Sequence, residues 1–276
     1  GSNNYYSFIY DSHNIASASN PRSSTFTVSN SIPAITVTPS DAGSDGTTPT
    51  NVGANVTFSG TATDADSDQY YLAICKTNAV TAGNNAAPTC DGGEWAISAA
   101  TNSGSEASVT YTTLIGDSES NAWYAFVCDK VTSVALCSAS SQGSGSTGSP
   151  FKVNHVPTFT SIADAPDPQT AGSNVTFTTV SSDSDTDTSA DTVKLYVCKS
   201  NDATSAGCGA GGTWCSATAT ASNPTCSYAT LSADTGTKTY YAHIYDSHDS
   251  AASNNPESST FAVNAAATGG GGGIPL

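Results

Sequence analysis

The chain is poor in charged residues, and poorest in positively charged ones. Only 11% of its 276 residues are charged, and 7 Lys and Arg stand against 23 Asp and Glu, which gives a net charge of −16. An average soluble protein has about 25% charged residues. Nucleic-acid binding needs clustered Lys and Arg, so the composition argues against it, and an anionic membrane surface would repel the chain. The acidity either serves solubility alone or attracts divalent cations.

Long apolar runs are also lacking. No stretch of 18 apolar residues occurs, so nothing in this segment is predicted to span a membrane. The chain opens Gly1-Ser2-Asn3-Asn4, which is not a signal peptide. Eight cysteines, an even number, favour disulfides and therefore an oxidising compartment. We expect an extracellular, cell-surface protein whose signal and anchor lie outside this segment.

Self-similarity is the strongest signal in the sequence. Residues 5–29, YYSFIYDSHNIASASNPRSSTFTVS, match residues 240–264, YYAHIYDSHDSAASNNPESSTFAVN. A weaker copy runs from Trp123 to Asn154. Further upstream, GANVTFSGTATDADSD at 53–68 matches GSNVTFTTVSSDSDTD at 172–187.

These matches predict the domain organisation. The predicted parts are the last two strands of an incomplete repeat at 1–30, complete repeats at 31–154 and 155–264, and a Gly-rich linker at 265–276. The incomplete repeat has two explanations. Either the chain is a window on a longer protein, or a neighbouring molecule supplies the missing strands.

Each repeat has the pattern of about seven short strands separated by clusters of Gly, Pro, Asn and Asp. In the second repeat the predicted strands are 158–163, 173–181, 192–200, 213–218, 224–231, 238–246 and 258–263. Apolar residues alternate with polar ones, as at Val193, Leu195 and Val197. One apolar face per strand, and seven strands in about 110 residues, predict the fold class: all-β, as tandem immunoglobulin-like antiparallel β-sandwiches.

One stretch carries a family resemblance. The pattern NVTF…TATDADSDQYYLAI resembles the second strand, acidic turn and third strand of bacterial Ig-like repeats of the cadherin-like and polycystic-kidney-disease-like kind. The resemblance covers nearly the whole chain at the level of the fold. It implies little about function, because such repeats occur in adhesins, surface layers, filaments and accessory modules of secreted enzymes.

The cysteines depart from the immunoglobulin pattern, because none lies on strand two of either repeat. Cys75 and Cys198 occupy matching positions on strand three and alternate with core residues, so we expect them to point away from the core. The favoured pairs are local: Cys75–Cys90, Cys128–Cys137, Cys198–Cys208 and Cys215–Cys226. A loop of about 15 residues closed in this way stabilises by about 3 kcal/mol. Pairing of Cys75 with Cys128 is the alternative, and zinc is disfavoured because no C-x-x-C occurs.

The resemblance also implies calcium at the junctions between repeats, where the turn after strand two meets the end of strand six. The candidate ligands are Asp64, Asp66, Asp68 and Asp129, then Asp183, Asp185, Asp187 and Asp246, with Asp191, Asp117 and Glu119 nearby. An EF-hand is excluded, since its twelfth position would be Cys75 or Lys194 instead of Glu. The alternative is an ordinary solvated turn, in which Asp favours local backbone hydrogen bonds. No other cofactor is expected.

No catalytic residues are predicted. His13 and His248 recur after Tyr-Asp-Ser, and contiguous residues on one turn cannot form a triad. We expect a non-catalytic structural or adhesive component of an extracellular assembly (surface layer, filament or repeat rod) built through neighbouring copies. The alternative is a glycan- or protein-binding module of a larger secreted enzyme or adhesin. Tyr71, Tyr196 and Trp214 could stack on sugars, but the favoured interpretation is that Trp95 and Trp214, which align, pack over the local disulfides.

Overall fold

The structure is a computed structural model and describes residues 2–27, 29–185 and 191–267. Strands make up most of its regular structure. The described part of the chain has no helix that could cross a bilayer, since its helices are two single 3₁₀ turns, Gly145–Thr147 and Ser232–Asp234. Residues 268–276, which are most of the linker predicted at 265–276, lie outside the described residues.

Strands up to the end of the first repeat are β1 (Ser2–Ser7), β2 (Arg22–Thr27), β3 (Ala34–Ser40), β4 (Thr50–Asn51), β5 (Asn55–Thr63), β6 (Tyr70–Cys75), β7 (Val80–Thr81), β8 (Thr89–Cys90), β9 (Glu94–Ile97), β10 (Glu106–Thr112), β11 (Ser120–Asn121), β12 (Tyr124–Asp129) and β13 (Phe151–Asn154).

Strands of the second repeat are β14 (Thr158–Ala165), β15 (Gln169–Thr170), β16 (Asn174–Ser182), β17 (Val193–Cys198), β18 (Ala203–Thr204), β19 (Gly207–Cys208), β20 (Thr213–Thr220), β21 (Thr225–Ala229), β22 (Gly236–Asp246) and β23 (Glu257–Asn264). The seven strands predicted for this repeat are all present.

The chain divides into two compact units. The first comprises Gly1–Ala42, Thr57–Tyr111 and Ala122–Ser149. The second comprises Gly43–Val56, Thr112–Asn121 and Pro150–Leu276. The repeat boundaries rest on sequence similarity and stay a prediction.

The second repeat, within the second unit, is a sandwich of two sheets. One sheet has the order β14-β16-β21 and the other the order β15-β23-β22-β17-β20. Pairing is antiparallel except between β15 and β23, which run parallel. Strands one, two and five of the repeat thus face strands three, four, six and seven, an immunoglobulin-like arrangement. The predicted fold class is confirmed.

Aromatic rings fill the core of this sandwich. The ring of Phe177 on β16 lies 4.9 Å from that of Tyr240 and 5.7 Å from that of Phe261, both edge-on. Trp214 on β20 lies 5.2 Å from Phe261. Edge-to-face pairs of this kind add about 0.5–1.5 kcal/mol beyond the area they bury. The two sheets are therefore held together largely by strands β16, β20, β22 and β23.

The first unit contains most of the sheet β10-β5-β3 and the sheet β12-β6-β9. Leu72 and Ile74 on β6 are fully buried, and the ring of Phe58 on β5 lies 5.5 Å from that of Trp123, edge-on. Asp129, the last residue of β12, lies opposite Tyr70, the first residue of β6. This register places Asp129 beside the turn that precedes β6, at 64–68.

Four disulfides join the eight cysteines: Cys75–Cys90, Cys128–Cys137, Cys198–Cys208 and Cys215–Cys226. These are the pairs that the sequence order favoured, and Cys75 does not pair with Cys128. The expectation that Cys75 points away from the core needs refinement. It lies apart from the main core, yet it is fully buried in a small cluster with Ala73, Phe126 and Cys128. The disulfide loops therefore cover a second apolar layer.

The disulfide Cys215–Cys226 differs from the others. Cys215 lies on β20 and Cys226 on β21, which belong to different sheets. Both cysteines are part of the main core cluster. A bridge between neighbouring strands in sequence thus ties the two sheets of the second repeat together.

Candidate functional site

An acidic cluster forms in the second repeat at one end of its sandwich. Asp183 follows β16, Asp191 precedes β17, and Asp246 ends β22. The antiparallel register pairs Asp246 with Val193, which brings the end of β22 to the start of β17. As a result, one carboxylate oxygen of each Asp lies within 4.8 Å of the others. Three carboxylates at this spacing can share one cation.

Burial makes this cluster electrostatically unfavourable without a cation. Asp246 and Asp191 are buried, and Asp183 is half-buried. Burial, reinforced by the charges of Asp185, Asp246 and Asp191, raises the pKa of Asp183 to about 6. Burial is also the main cause that raises the pKa of Asp246. Asp183 Oδ2 is buried without a hydrogen-bond partner among the described residues.

Asn154 connects the end of β13 to this cluster. Its side-chain Nδ2 lies 3.0 Å from Asp246 Oδ2, 3.0 Å from Ser250 Oγ and 2.9 Å from Asn51 Oδ1. Its Oδ1 is buried with no hydrogen-bond partner in the described part of the chain. All four residues belong to the second unit. An unsatisfied buried amide oxygen is costly, and a cation or a water would satisfy it.

The other oxygens of the cluster are largely occupied. Asp246 Oδ1 accepts hydrogen bonds from the backbone N–H groups of His248 and Ser250, both at 2.8 Å. Asp191 Oδ1 accepts from Ser247 Oγ at 3.1 Å and lies 3.1 Å from His248 Nε2. The turn 247–250 therefore holds the cluster in place through hydrogen bonds that are local in sequence.

Asp185, a predicted ligand, does not join the cluster. It binds the residue that follows Asn154: His155 N donates to Asp185 Oδ2 at 2.5 Å, and His155 Nδ1 lies 3.0 Å from Asp185 Oδ1. His155 Nε2 lies 3.1 Å from the backbone oxygen of Asp117. Both ring nitrogens thus face oxygen acceptors. Asp187, another predicted ligand, lies outside the described residues.

The first repeat has its own acidic cluster, formed by Asp64, Asp66 and Asp68 within one turn. Asp64 is buried; its Oδ1 accepts from the N–H of Asp66 at 2.8 Å and of Asp68 at 3.3 Å. Its Oδ2 is buried and has no partner among the described residues. Burial and the charges of Asp64, Asp66 and Asp129 raise the pKa of Asp68. These contacts fit both a solvated turn and a cation site.

Asp129 lies beside this turn and is occupied by other partners. Its Oδ1 accepts from the N–H of Leu136 at 2.7 Å, and its Oδ2 accepts a short hydrogen bond from Asn30 Nδ2. Asn30 also donates to the backbone oxygen of Val134 at 3.0 Å. The next residue, Ser31, donates its backbone N–H to Asp66 Oδ2 at 2.8 Å. All these residues belong to the first unit.

The two acidic turns thus make the same pair of contacts, which we call the Asn–Asp link. The side chain of Asn30 or Asn154 donates to the Asp that ends strand six, and the following backbone N–H donates to the middle Asp of the turn. The sequence analysis overlooked both asparagines. A signal was available, because each repeat has an Asn within two residues of a Val at its end, in VSN30, KVN154 and AVN264, although Asn30 lies one position further on than the other two.

The aromatic residues considered as platforms for sugars are only partly accessible. Trp214 is buried: its ring lies against Tyr228 and Phe261, its Nε1 donates to the backbone oxygen of Thr239 at 3.1 Å, and Lys199 Nζ lies 4.4 Å from the ring. Tyr71 and Tyr196 are half-buried. Trp214 is therefore a core residue and not a sugar platform.

Comparison with known proteins finds similar structures, but only at low sequence identity. No family model matches the chain, and no curated protein matches it. Fibronectin(III)-like modules of Clostridium thermocellum CbhA are 15% identical over 85% of this chain and 95% of theirs, with a TM-score of 0.34. The Yersinia pseudotuberculosis adhesin InvE is 13% identical over 83% of this chain and 58% of its own, with a TM-score of 0.28.

An endo-fucoidan hydrolase from glycoside hydrolase family 107 is 14% identical over 97% of this chain but only 34% of its own, with a TM-score of 0.26. Because these TM-scores are low, the likenesses carry no inference about activity. The narrower resemblance to cadherin-like or polycystic-kidney-disease-like repeats stays a prediction. The four disulfides fit a secreted protein.

Proposed function

We propose that the chain is a non-catalytic, structural segment of an extracellular cell-surface assembly, in which each Ig-like repeat is fastened to the acidic turn of the next. The observation that supports this proposal is the Asn–Asp link. It occurs at the start of both complete repeats, although the residue after the Asn differs, Ser31 in one and His155 in the other.

A fastened junction is what a structural array requires. Flexible connections between domains are Gly- and Ser-rich and make few contacts, so that domains move independently. Here two polar contacts restrain the segment that connects successive repeats, and one of the acceptors, Asp246, is fully buried. Charge-assisted hydrogen bonds to such carboxylates are about twice as strong as neutral ones.

Electron microscopy of the native material, with an antibody against this chain, tests the proposal. We expect label along filaments, rods or a lattice at the cell surface. The matched variants in the native host are Asn30→Ala with Asn154→Ala, expected to disrupt the assembly, and Asn201→Ala as a control at an exposed position outside both links. Label confined to isolated secreted particles would contradict a structural role.

We further propose Ca²⁺ as a ligand of the acidic clusters. Asp183, Asp191 and Asp246 would hold it in the second repeat, with Asn154 Oδ1 as a neutral donor, and Asp64, Asp66 and Asp68 in the first. The donor set fits, because all these atoms are oxygens, which Ca²⁺ prefers. The ion would offset the repulsion between carboxylates and satisfy oxygens that are otherwise buried without a partner.

A melting experiment tests calcium binding. EDTA is expected to lower the melting temperature and added calcium to restore it, since a ligand at 100 times its Kd stabilises by about 2.7 kcal/mol. Asp183→Asn should reduce the response, whereas the control Asp91→Asn, an exposed position outside both clusters, should keep it. If neither EDTA nor calcium changes the melting temperature, the clusters are solvated turns.

A further inference from the structure

The hairpin β1–β2 repeats the hairpin β22–β23 in conformation as well as in sequence. Tyr5 pairs with Ser24 as Tyr240 pairs with Ser259, and the registers agree throughout once 235 is added to each number. The isolated bridge that closes each hairpin also agrees, Tyr10 with Ala16 and Tyr245 with Ala251.

A side-chain clamp recurs as well. Asn20 Oδ1 accepts from the N–H of Ile9 at 3.0 Å and its Nδ2 donates back to the oxygen of Ile9 at 2.6 Å. Asn255 does the same to Ile244 at 2.9 and 2.7 Å. The first hairpin therefore has the shape of strands six and seven of a complete repeat.

The burial of the two hairpins is opposite. Tyr5, Ile9 and Phe26 are 49%, 68% and 52% exposed. Their counterparts Tyr240, Ile244 and Phe261 are 0%, 0% and 1% exposed. Tyr6, Phe8 and Tyr10 are exposed as well, but by strand alternation they belong to the opposite side of the hairpin. The face with Tyr5, Ile9 and Phe26 alone therefore exposes three large apolar side chains.

The second repeat shows what covers the equivalent face. Phe177 on β16 packs edge-on against Tyr240 and Phe261, and Trp214 on β20 packs against Phe261. In addition, β17 pairs with the outer edge of β22 over six residues, from Val193↔Asp246 to Cys198↔Tyr241. Among the described residues, β1 pairs only with β2, so its other edge is open.

We propose that the apolar face of β1–β2 and the open edge of β1 bind strands one to five of an Ig-like repeat of this chain's own type, those equivalent to Thr158–Ala229. A smaller apolar ligand would cover the face but leave the edge unpaired. A second copy of the hairpin would pair the edge but would bring no counterpart of Phe177 or Trp214. The inference does not depend on the proposed function, since the sandwich requires these strands whatever the repeats do.

A fusion tests the proposal. Gly1 is equivalent to Gly236, so residues 155–235 placed directly before Gly1 supply strands one to five in the natural connection. We expect the backbone amides of 2–27 to exchange with deuterium at least about 100-fold more slowly in the fusion than in the unfused chain, at rates close to those of 237–262 in the same molecule. Residues 31–118, the corresponding part of the first repeat, provide a second, independent fusion.

The matched control carries Phe26→Asp with Tyr5→Asp in the first fusion. These changes should abolish the new protection and leave that of 237–262 intact. If both fusions leave 2–27 exchanging as fast as in the unfused chain, the proposal is wrong. It is also wrong if the unfused chain already forms a dimer in solution in which the hairpin is protected, because the occupant would then be a second copy.

Discussion

The hairpins β1–β2 and β22–β23 have nearly the same sequence and the same conformation, but only the second is buried. Phe26 and Phe261 occupy the same position of the repeat and are 52% and 1% exposed. Turn residues, register and the Asn clamp are therefore set by local sequence, whereas burial depends on strands that lie far away along the chain. A two-stranded hairpin is marginally stable alone, so the same residues should contribute very different amounts to stability in the two places.

The largest contrast is expected for the paired substitutions Phe261→Ala and Phe26→Ala. Phe261 contacts Phe177, Trp214 and Tyr240, and its loss leaves a cavity in the core. We expect Phe261→Ala to lower the free energy of unfolding of the second repeat by about 3–5 kcal/mol. Phe26→Ala should change the stability of the chain by less than about 0.5 kcal/mol, because the ring lies at the surface.

Urea denaturation followed by tryptophan fluorescence measures this difference, since Trp214 reports on the second repeat. Equal losses for the two variants would mean that Phe26 is covered in solution, and the contrast between the hairpins would be wrong.

The next contrast compares the residues that end the last strand of each complete repeat. Asn154 is buried and donates to Asp246, whereas Asn264, the equivalent residue of the second repeat, is exposed. Asn154→Ala leaves the buried Asp246 Oδ2 without this donor, so we expect a loss of about 2 kcal/mol in the free energy of unfolding. Asn264→Ala is expected to cost less than about 0.5 kcal/mol.

Thermal unfolding of both variants in the same buffer, with and without calcium, checks this pair. A loss for Asn264→Ala as large as that for Asn154→Ala would indicate that Asn264 already has a partner in solution, which would contradict the description of this strand end as exposed.

The sequence predicted the strands better than it predicted the site. Alternation at Val193, Leu195 and Val197 is a local pattern that the ladder then reproduces, so strands of the second repeat could be located. The roles of Asp185 and Asp191 could not, because both are Asp residues flanking the same turn. Which of them joins Asp183 depends on Asp246, some 55 residues later, and on the chain segment at His155.

The asparagines of the Asn–Asp link illustrate the same limit. Asn at the end of a strand is common in turns, where it forms local backbone hydrogen bonds, so a single Asn154 carries no signal for a distant partner. Only the recurrence of Asn at the end of each repeat, as Asn264 at the same position and as Asn30 one position further on, marks it as special. The acceptor, Asp246, lies 92 residues away in sequence, and only the folded structure brings the two side chains together.

The smallest contrast concerns the Asn clamp, which makes the same hydrogen bonds in an exposed and in a buried place. Asn20 and Asn255 make the same two hydrogen bonds to Ile9 and Ile244, but Ile9 is 68% exposed and Ile244 is fully buried. Without Asn255, the N–H and oxygen of Ile244 lose their partners away from water, and we expect a loss of about 1–2 kcal/mol. Without Asn20, water can replace both hydrogen bonds, so a loss of no more than about 0.5 kcal/mol is expected.

Urea denaturation of Asn255→Ala and Asn20→Ala measures both values, with Asn→Asp at each position as the control that keeps an acceptor for the N–H. If Asn20→Ala costs as much as Asn255→Ala, the clamp itself and not its burial determines stability, and the two hairpins differ less than their exposure indicates.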